Sequence, residues 1–255
     1  MRALALSDPG SLASAAKESL PHVSDGVAAF ELAPPAPGIA LWLCPLDRAG
    51  ADAVNASSAL SAHERTRAER FGNDLLRRRW IAGRTALRSL LGNALEVDPA
   101  AVPLRRGIRG RPELDNNHSL DFNVSHTGAT ALIAIATGVA DGTRIGIDIE
   151  REDRRVNADG LARKFLTERE QAEIATLTSD GRRRQFLRLW TCKEAMSKAT
   201  GDALSAPFRH IDVKLDGDGP RLAAGPAPYA PATWQLIAAA APPGLIATLA
   251  IWRRP

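Results

Sequence analysis

The sequence predicts an α+β protein built from two similar lobes, residues 1–118 and 119–255. Three observations lead there. Short apolar runs with the period-two alternation of strands occur in both halves of the 255-residue chain. Each half also carries at least one long stretch with helical periodicity and a capping residue in front of it. Strands mixed with a few long helices, rather than a strict strand–helix alternation, define the α+β class. No repeat at the level of sequence relates the halves.

The first segment is a proline-rich separator, APPAPG (33–38), which sets a low-information N-terminal arm apart from the strand IALWLCPLD. LSAHERTRAERF then begins a helix: Ser61 with Glu64 three residues on has the spacing of a capping box. Asn73 caps the next helix, DLLRRRWIAGRTALRSLLG, whose apolar stripe runs Leu76, Trp80, Gly83, Leu87, Leu90 and Leu91. Arg77, Arg84 and Arg88 lie on a separate face. RRGIRGRPEL reads as a loop closing the first half. The second half opens with SLDFNVSH, where Leu120, Phe122 and Val124 alternate with polar residues. ATALIAIAT is a more buried strand, and the turn ADGT delivers RIGIDIE. Helical stretches follow through LARKFLTEREQAEIATL and GRRRQFLRLWTCKEAMSKAT. Leu222 to Trp252 contains no charged side chain, but Pro242-Pro243-Gly244 breaks it into pieces too short for a ~20-residue span. WQLIAAAA and LIATLAIW read instead as a final strand pair.

Composition narrows the function classes. Two cysteines 148 positions apart, Cys44 and Cys192, form neither a disulfide framework nor a zinc knuckle, which favours a reducing compartment. The N-terminus reaches Asp8 and Pro9 before any signal-peptide core forms, so a cytoplasmic, membrane-free protein is expected. Between Glu64 and Arg111 stand twelve arginines against five acids, a surface suited to phosphates or an acidic partner. Nucleic acid is the rival ligand. The arginine-rich stretch offers only Phe71 and Trp80 for stacking on bases, which argues against it.

The chemistry concentrates in two places. In RIGIDIE the period of two sends Ile145, Ile147 and Ile149 to one face and Gly146, Asp148 and Glu150 to the other. Side-by-side carboxylates are either a solvated strand end paired with Arg144 or Arg151, or a site for a hard divalent cation such as magnesium. In WTCKEAMSKATG two of the chain's five lysines flank Glu194. Glu194 continues the stripe of Phe186, Leu189 and Trp190, where a carboxylate needs a partner or a metal. Lys198 follows by four and is expected to meet it, either as an ordinary exposed pair or as a compact charge for phosphate chemistry.

GRPEL (110–114), FNVSHTG (122–128), GIDIE (146–150), KFLTERE (164–170) and WTCKEAMSKATG (190–201), in this order and spacing, resemble the 4′-phosphopantetheinyl transferases. The similarity is to the larger, surfactin-synthetase type, with two lobes in pseudo-twofold arrangement, and covers about Leu60 to Leu204. The resemblance implies transfer of 4′-phosphopantetheine from coenzyme A to a serine of an apo acyl or peptidyl carrier protein, with release of adenosine 3′,5′-bisphosphate. It implies magnesium on Asp148, Glu150 and Glu194, with Asp148, Glu194 and Lys198 catalytic. Glu194 would take the serine proton, directly or through water, and Lys198 would stabilise the leaving phosphate. Coenzyme A would be bound by Arg67, Arg79, Arg111, Ser125, His126 and Lys198. Lys193 and Glu170 match motif positions with structural or accessory roles. Two departures touch recognition of the 3′-phosphate: Glu64 stands where some relatives carry lysine, and Trp80 at a place where the resemblance implies a hydroxyl residue in contact with phosphate. A monomer is expected, since both lobes lie in one chain.

Three other functions compete. A serine hydrolase built on Ser125-His126 lacks a GxSxG elbow, and adjacent residues on an extended chain point apart. A metal-dependent phosphatase or nuclease would use the same acids and bases without a carrier. A non-catalytic nucleic-acid binder would leave the acids as bystanders.

Overall fold

The computed structural model describes residues 22–24, 27–47, 58–107, 109–115 and 119–254. The strands expected from alternation form, and their two faces explain the layering. β1 (His22–Ser24), β2 (Val27–Ala36) and β3 (Ile39–Pro45) begin an antiparallel sheet. A short hairpin, β4 (Leu104–Arg106) and β5 (Pro112–Leu114), stands apart from it. β6 (Leu120–Thr127) and β7 (Thr130–Thr137) complete the first sheet in the order β1-β2-β3-β7-β6. β8 (Thr143–Arg151) forms the edge of a second sheet. After the hairpin β9 (Asp212–Asp216) and β10 (Gly219–Ala224), the final strands β11 (Trp234–Ala238) and β12 (Leu245–Arg253) give that sheet the order β11-β12-β8.

Among the described residues five α-helices accompany them: α1 (Ala62–Glu69), α2 (Asp74–Leu95), α3 (Ala158–Phe165), α4 (Glu168–Ala175) and α5 (Ser179–Thr200). Ser61 caps α1 and shares a full capping box with Glu64, while the Asn73 side chain accepts from Leu76 N at 3.0 Å. α2 and α5 are both 22 residues long, one per lobe. Ala82, Ala86, Leu90 and Leu91 of α2 pack on one face of the first sheet. The other face, with Leu41, Leu43, Leu132 and Ala134, packs on Ile145, Ile147 and Ile149 of β8 and Leu249 of β12. α5 covers the outer face of the second sheet through Leu189, Ala195 and Met196 against Ala250 and Trp252. The order is helix, sheet, sheet, helix, the α+β arrangement of two like lobes.

Several expectations need correction. The sheets do not divide at 118/119, because β6 and β7 hydrogen-bond into the sheet of the N-terminal strands. The separator 33–38 is largely strand: β2 continues to Ala36, and the prolines fall where its register with β3 shifts, between Leu32 and Ala36. RRGIRGRPEL contains the β4–β5 hairpin, and the stretch from Leu161 to Leu177 breaks into two helices at Thr167, the cap of α4. The remainder of the N-terminal arm, 1–21, lies outside the described residues.

The two sheets are joined at β6 and β8 in an unusual manner. Side chains from β6 take the place of a neighbouring backbone. Asp121 Oδ2 accepts from Ile145 N at 2.7 Å, Asn123 Oδ1 from Ile147 N at 3.1 Å, and Ser125 Oγ from Ile149 N at 3.3 Å. Every second residue of each strand takes part, and both advance in the same direction, so the edge of β8 is satisfied by a parallel ladder of side chains. This ladder sets the position of Asp148 relative to the first lobe.

Candidate active site

α5 reaches the site because β8 carries a glycine. A Cβ on Gly146 would lie 1.9 Å from Ala195 O and 2.7 Å from Ala199 N, so only hydrogen fits beneath the helix. That close approach brings the next two residues of the same strand face, Asp148 and Glu150, against Glu194 and Lys198. Lys198 Nζ donates to Asp148 Oδ1 at 2.7 Å, Ser125 Oγ at 2.7 Å and Ile147 O at 3.1 Å. Ser125 Oγ in turn donates to Asp148 Oδ1 at 2.9 Å. The sequence pointed Lys198 at Glu194. The structure sends it across to β8 instead, because the helix rests so near that strand.

Glu194 is left with a buried Oε1 that has no hydrogen-bond partner, and Asp148 Oδ2 is in the same condition. Burial, then the charges of Asp148 and Glu150, push the Glu194 carboxyl up to about 7 against the opposing effect of Lys198. Burial also raises Glu150, which is bonded by Arg154 rather than by Arg144 or Arg151. Arg144 goes to Glu113 and Arg151 to Asp153. Among the described residues no group of three or more His, Cys, Asp or Glu closes into a metal cluster. The two orphaned oxygens nonetheless suit magnesium, which takes one or two carboxylates and fills its remaining positions from water and phosphate.

Lys193 answers to a different partner. Fully buried, it donates to Glu170 Oε2 at 2.6 Å, Phe208 O at 2.8 Å and Phe165 O at 3.1 Å. Glu170 also closes the capping box of α4 and accepts from Val213 N at 2.8 Å. Of the two lysines around Glu194, one ties α5 to its own lobe and the other faces the site.

Two cavities flank Lys198 and His126. The larger, about 410 Å³, lies between α2 and the first sheet, with Arg79, Trp80, Arg84 and His126 in its wall. The smaller, about 190 Å³, includes Arg109, Arg111, Ser197 and Lys198. Pro112 and Val124 line both, so they form one groove that passes over β6. His126 and Ser125 point to opposite sides of β6, one into the larger cavity and the other to Asp148.

The arginines divide into structural and available ones. Arg111 is buried, and its guanidinium donates to Lys198 O, Asp121, Phe122 O and Ile145 O at 2.8–3.1 Å, clamping α5, β6 and β8 together. Arg88 is held by Glu64 at 2.5 Å and by three carbonyls of residues 99–102. Arg79 forms a two-pronged pair with Asp47. Arg67 lies over the Trp80 ring. Glu64, out of place for a phosphate site, is the internal counter-charge of the Arg84–Arg88 face. Sequence reasoning missed Asp121 and Asn123 as determinants of the site; their signal was the polar side of LDFNVS, facing the same way as Ser125.

A half-buried lysine beside two partnerless carboxylate oxygens, at one end of a groove rimmed by arginines, is a constellation suited to phosphate chemistry. The sequence model of the 4′-phosphopantetheinyl transferase superfamily matches residues 144–249, and that of the 4′-phosphopantetheinyl transferase N-terminal region matches residues 49–138. The chain is 35% identical over 216 residues to the 4′-phosphopantetheinyl transferase HetI of Nostoc sp., covering 83% of this chain and 86% of that one. It is 26% identical over 162 residues to the 4′-phosphopantetheinyl transferase Sfp of Bacillus subtilis, covering 64% and 69%. With AcpT of Escherichia coli, also a 4′-phosphopantetheinyl transferase, it shares 34% over 125 residues, covering 49% and 58%. The chain belongs to the 4′-phosphopantetheinyl transferase superfamily and is of its Sfp-like type. The two matched segments meet between residues 138 and 144, where the sheets also divide.

Proposed function

We propose that the chain transfers the 4′-phosphopantetheine group of coenzyme A to a serine of an apo carrier protein, using Lys198, Asp148 and Glu194. The observation that carries the residue roles is the convergence of Lys198 Nζ on Asp148 beside the partnerless oxygens of Asp148 and Glu194. The groove supports coenzyme A as the donor. Its larger cavity suits the nucleotide end: His126 and Arg84 are in its wall, and Arg67 lies over the Trp80 ring that also lines it. Arg79 can serve a phosphate once released from Asp47. The cavity adjoins that of Lys198, for the diphosphate, at Val124. Ser125 holds Asp148 and Lys198 together, and Arg111 fixes the backbone around them.

In the reaction the serine oxygen forms a bond to the phosphorus that carries pantetheine, and the bond from that phosphorus to the bridging oxygen breaks. The leaving group is adenosine 3′,5′-bisphosphate. Glu194, ionised at neutral pH to a substantial degree, accepts the serine proton. Lys198 places a positive charge against the phosphate oxygens as negative charge grows on the leaving group. Magnesium would be held by Asp148 and Glu194, joined by Glu150 once it leaves Arg154. When bound it would neutralise the diphosphate. Arg70, Arg77 and Arg106, without a carboxylate partner among the described residues, are available to steer an acidic carrier. No helix of the described residues is long and apolar enough to cross a membrane.

The test is intact-mass spectrometry of apo carrier proteins incubated with the enzyme, coenzyme A and magnesium. A gain of one phosphopantetheine per carrier, lost in Lys198→Ala and Glu194→Ala, is expected. Release of inorganic phosphate with no carrier modified would point to a phosphatase instead.

A further inference from the structure

We propose that Arg154 is a placeholder cation: it holds Glu150 until a divalent ion displaces it, and so sets how tightly that ion binds. This rests on the proposed metal at Asp148, Glu150 and Glu194 and adds the residue that regulates its entry. The other cations near Glu150 are engaged elsewhere. Arg144 pairs with Glu113 at 2.6 Å, Arg151 grips Asp153 with two bonds at 2.8 and 2.6 Å, and Lys198 is bonded to Asp148 and Ser125. Among the described residues Arg154 is the one cation bonded to Glu150. The Glu150 side chain is 12% exposed and that of Arg154 48%, so the carboxylate sits inside and the guanidinium comes in from solvent. The backbone beneath it is pinned. Arg154 N donates to Arg151 O at 3.1 Å, closing a turn at the end of β8. Glu152 N donates to Gly244 O at 2.8 Å, and Glu152 O accepts from Arg183 of α5. The guanidinium has no second partner among the described residues, so Glu150 is released by movement of one side chain alone.

The charge balance favours the exchange. Asp148, Glu150 and Glu194 act on one another electrostatically, with Lys198 as their shared counter-charge. Lys198 and Arg154 against three carboxylates leave one negative charge in excess. A divalent ion in the place of Arg154 brings the cluster to balance. Arginine suits a placeholder because its charge is not lost to deprotonation at any working pH. The pair is also weak enough to yield, since an ion pair with one exposed partner opposes a competitor by roughly five-fold at most.

Manganese titration of the full chain without nucleotide, followed by the paramagnetic resonance of the free ion, tests this apart from activity. Arg154→Gln should tighten manganese binding by about three- to five-fold. Arg151→Gln removes the same charge from the same turn but leaves Glu150 untouched, and should change affinity by less than about 1.5-fold in physiological salt. On a Glu150→Gln background Arg154→Gln should have no effect. In transfer assays the manganese concentration for half-maximal rate should fall with Arg154→Gln in the same proportion. Equal tightening by Arg154→Gln and Arg151→Gln would show a general field rather than a placeholder and overturns the proposal. So does an effect of Arg154→Gln that persists without Glu150. Binding that depends on Asp148, lost in Asp148→Asn, yet ignores Arg154→Gln overturns the placeholder and leaves the metal site standing. Binding indifferent to Asp148→Asn overturns both.

Discussion

Replacing Gly146 with alanine tests how the active site is assembled. The new methyl would sit 1.9 Å from Ala195 O, and ordinary contact begins at 3.4 Å, so α5 must retreat by about 1.5 Å. The obstacle is backbone, which no rotamer change relieves. Overpacking of this kind costs ~1–3 kcal/mol and occasionally more. The larger effect falls on the chemistry. Lys198 is on the same stretch of α5, and its 2.7 Å bonds to Asp148 and Ser125 would open to roughly 4 Å. Misplacement on this scale costs on the order of 100-fold in rate. The assay is transfer of phosphopantetheine to an apo carrier at saturating coenzyme A, beside a thermal melt of the same preparation. Loss of transfer with a folded, modestly destabilised protein is expected. A Gly146→Ala enzyme with wild-type rate and melting temperature would refute the claim that this contact aligns Lys198.

Other perturbations follow from the same geometry. Lys193→Met strands a buried Glu170 and should destabilise by ~3–5 kcal/mol in urea; adding Glu170→Leu should recover only part of this, because Val213 N and Thr167 N then lose their acceptor. Asn123→Ala leaves Ile147 N without its acceptor and should cost ~1–3 kcal/mol by the same measurement. Because the folded Glu194 carboxyl is raised to about 7 from 4.5, its contribution to stability is fully present below pH 4.5 and lost as pH rises through 7. Melting curves without divalent cation should record that decline, and Glu194→Gln should flatten it. Transfer should show the opposite trend, rising as Glu194 ionises.

Much of this fold was legible because strands and caps are local. The alternation of RIGIDIE put three isoleucines in one core and both carboxylates on one face, and Ser61, Glu64 and Asn73 fixed the helix starts. The lobe boundary was not legible, since the partners of β6 and β7 are β3 and its neighbours, distant in sequence. The hairpin β9–β10 was passed over although Val213 and Leu215 alternate with Asp212, Lys214 and Asp216 ahead of the turn at Gly217-Asp218. For the site, Asp148, Glu194 and Lys198 were expected from the family resemblance and lie together in the structure, yet the partner of Lys198 was not legible. Helical spacing favoured Glu194, whereas the approach allowed by Gly146 favoured Asp148. Arginine content overstated the free charge, because Arg88 and Arg111 serve carbonyls and buried acids that composition does not reveal.

The proposed chemistry requires Asp148 and Glu194 to share one divalent ion next to Lys198. Anomalous diffraction from crystals grown with manganese and coenzyme A measures this directly. The predicted result is a single peak beside the carboxylates of Asp148 and Glu194, within reach of Glu150, with the diphosphate and Lys198 next to it. A peak elsewhere on the chain, or a diphosphate bound far from Lys198, would contradict it.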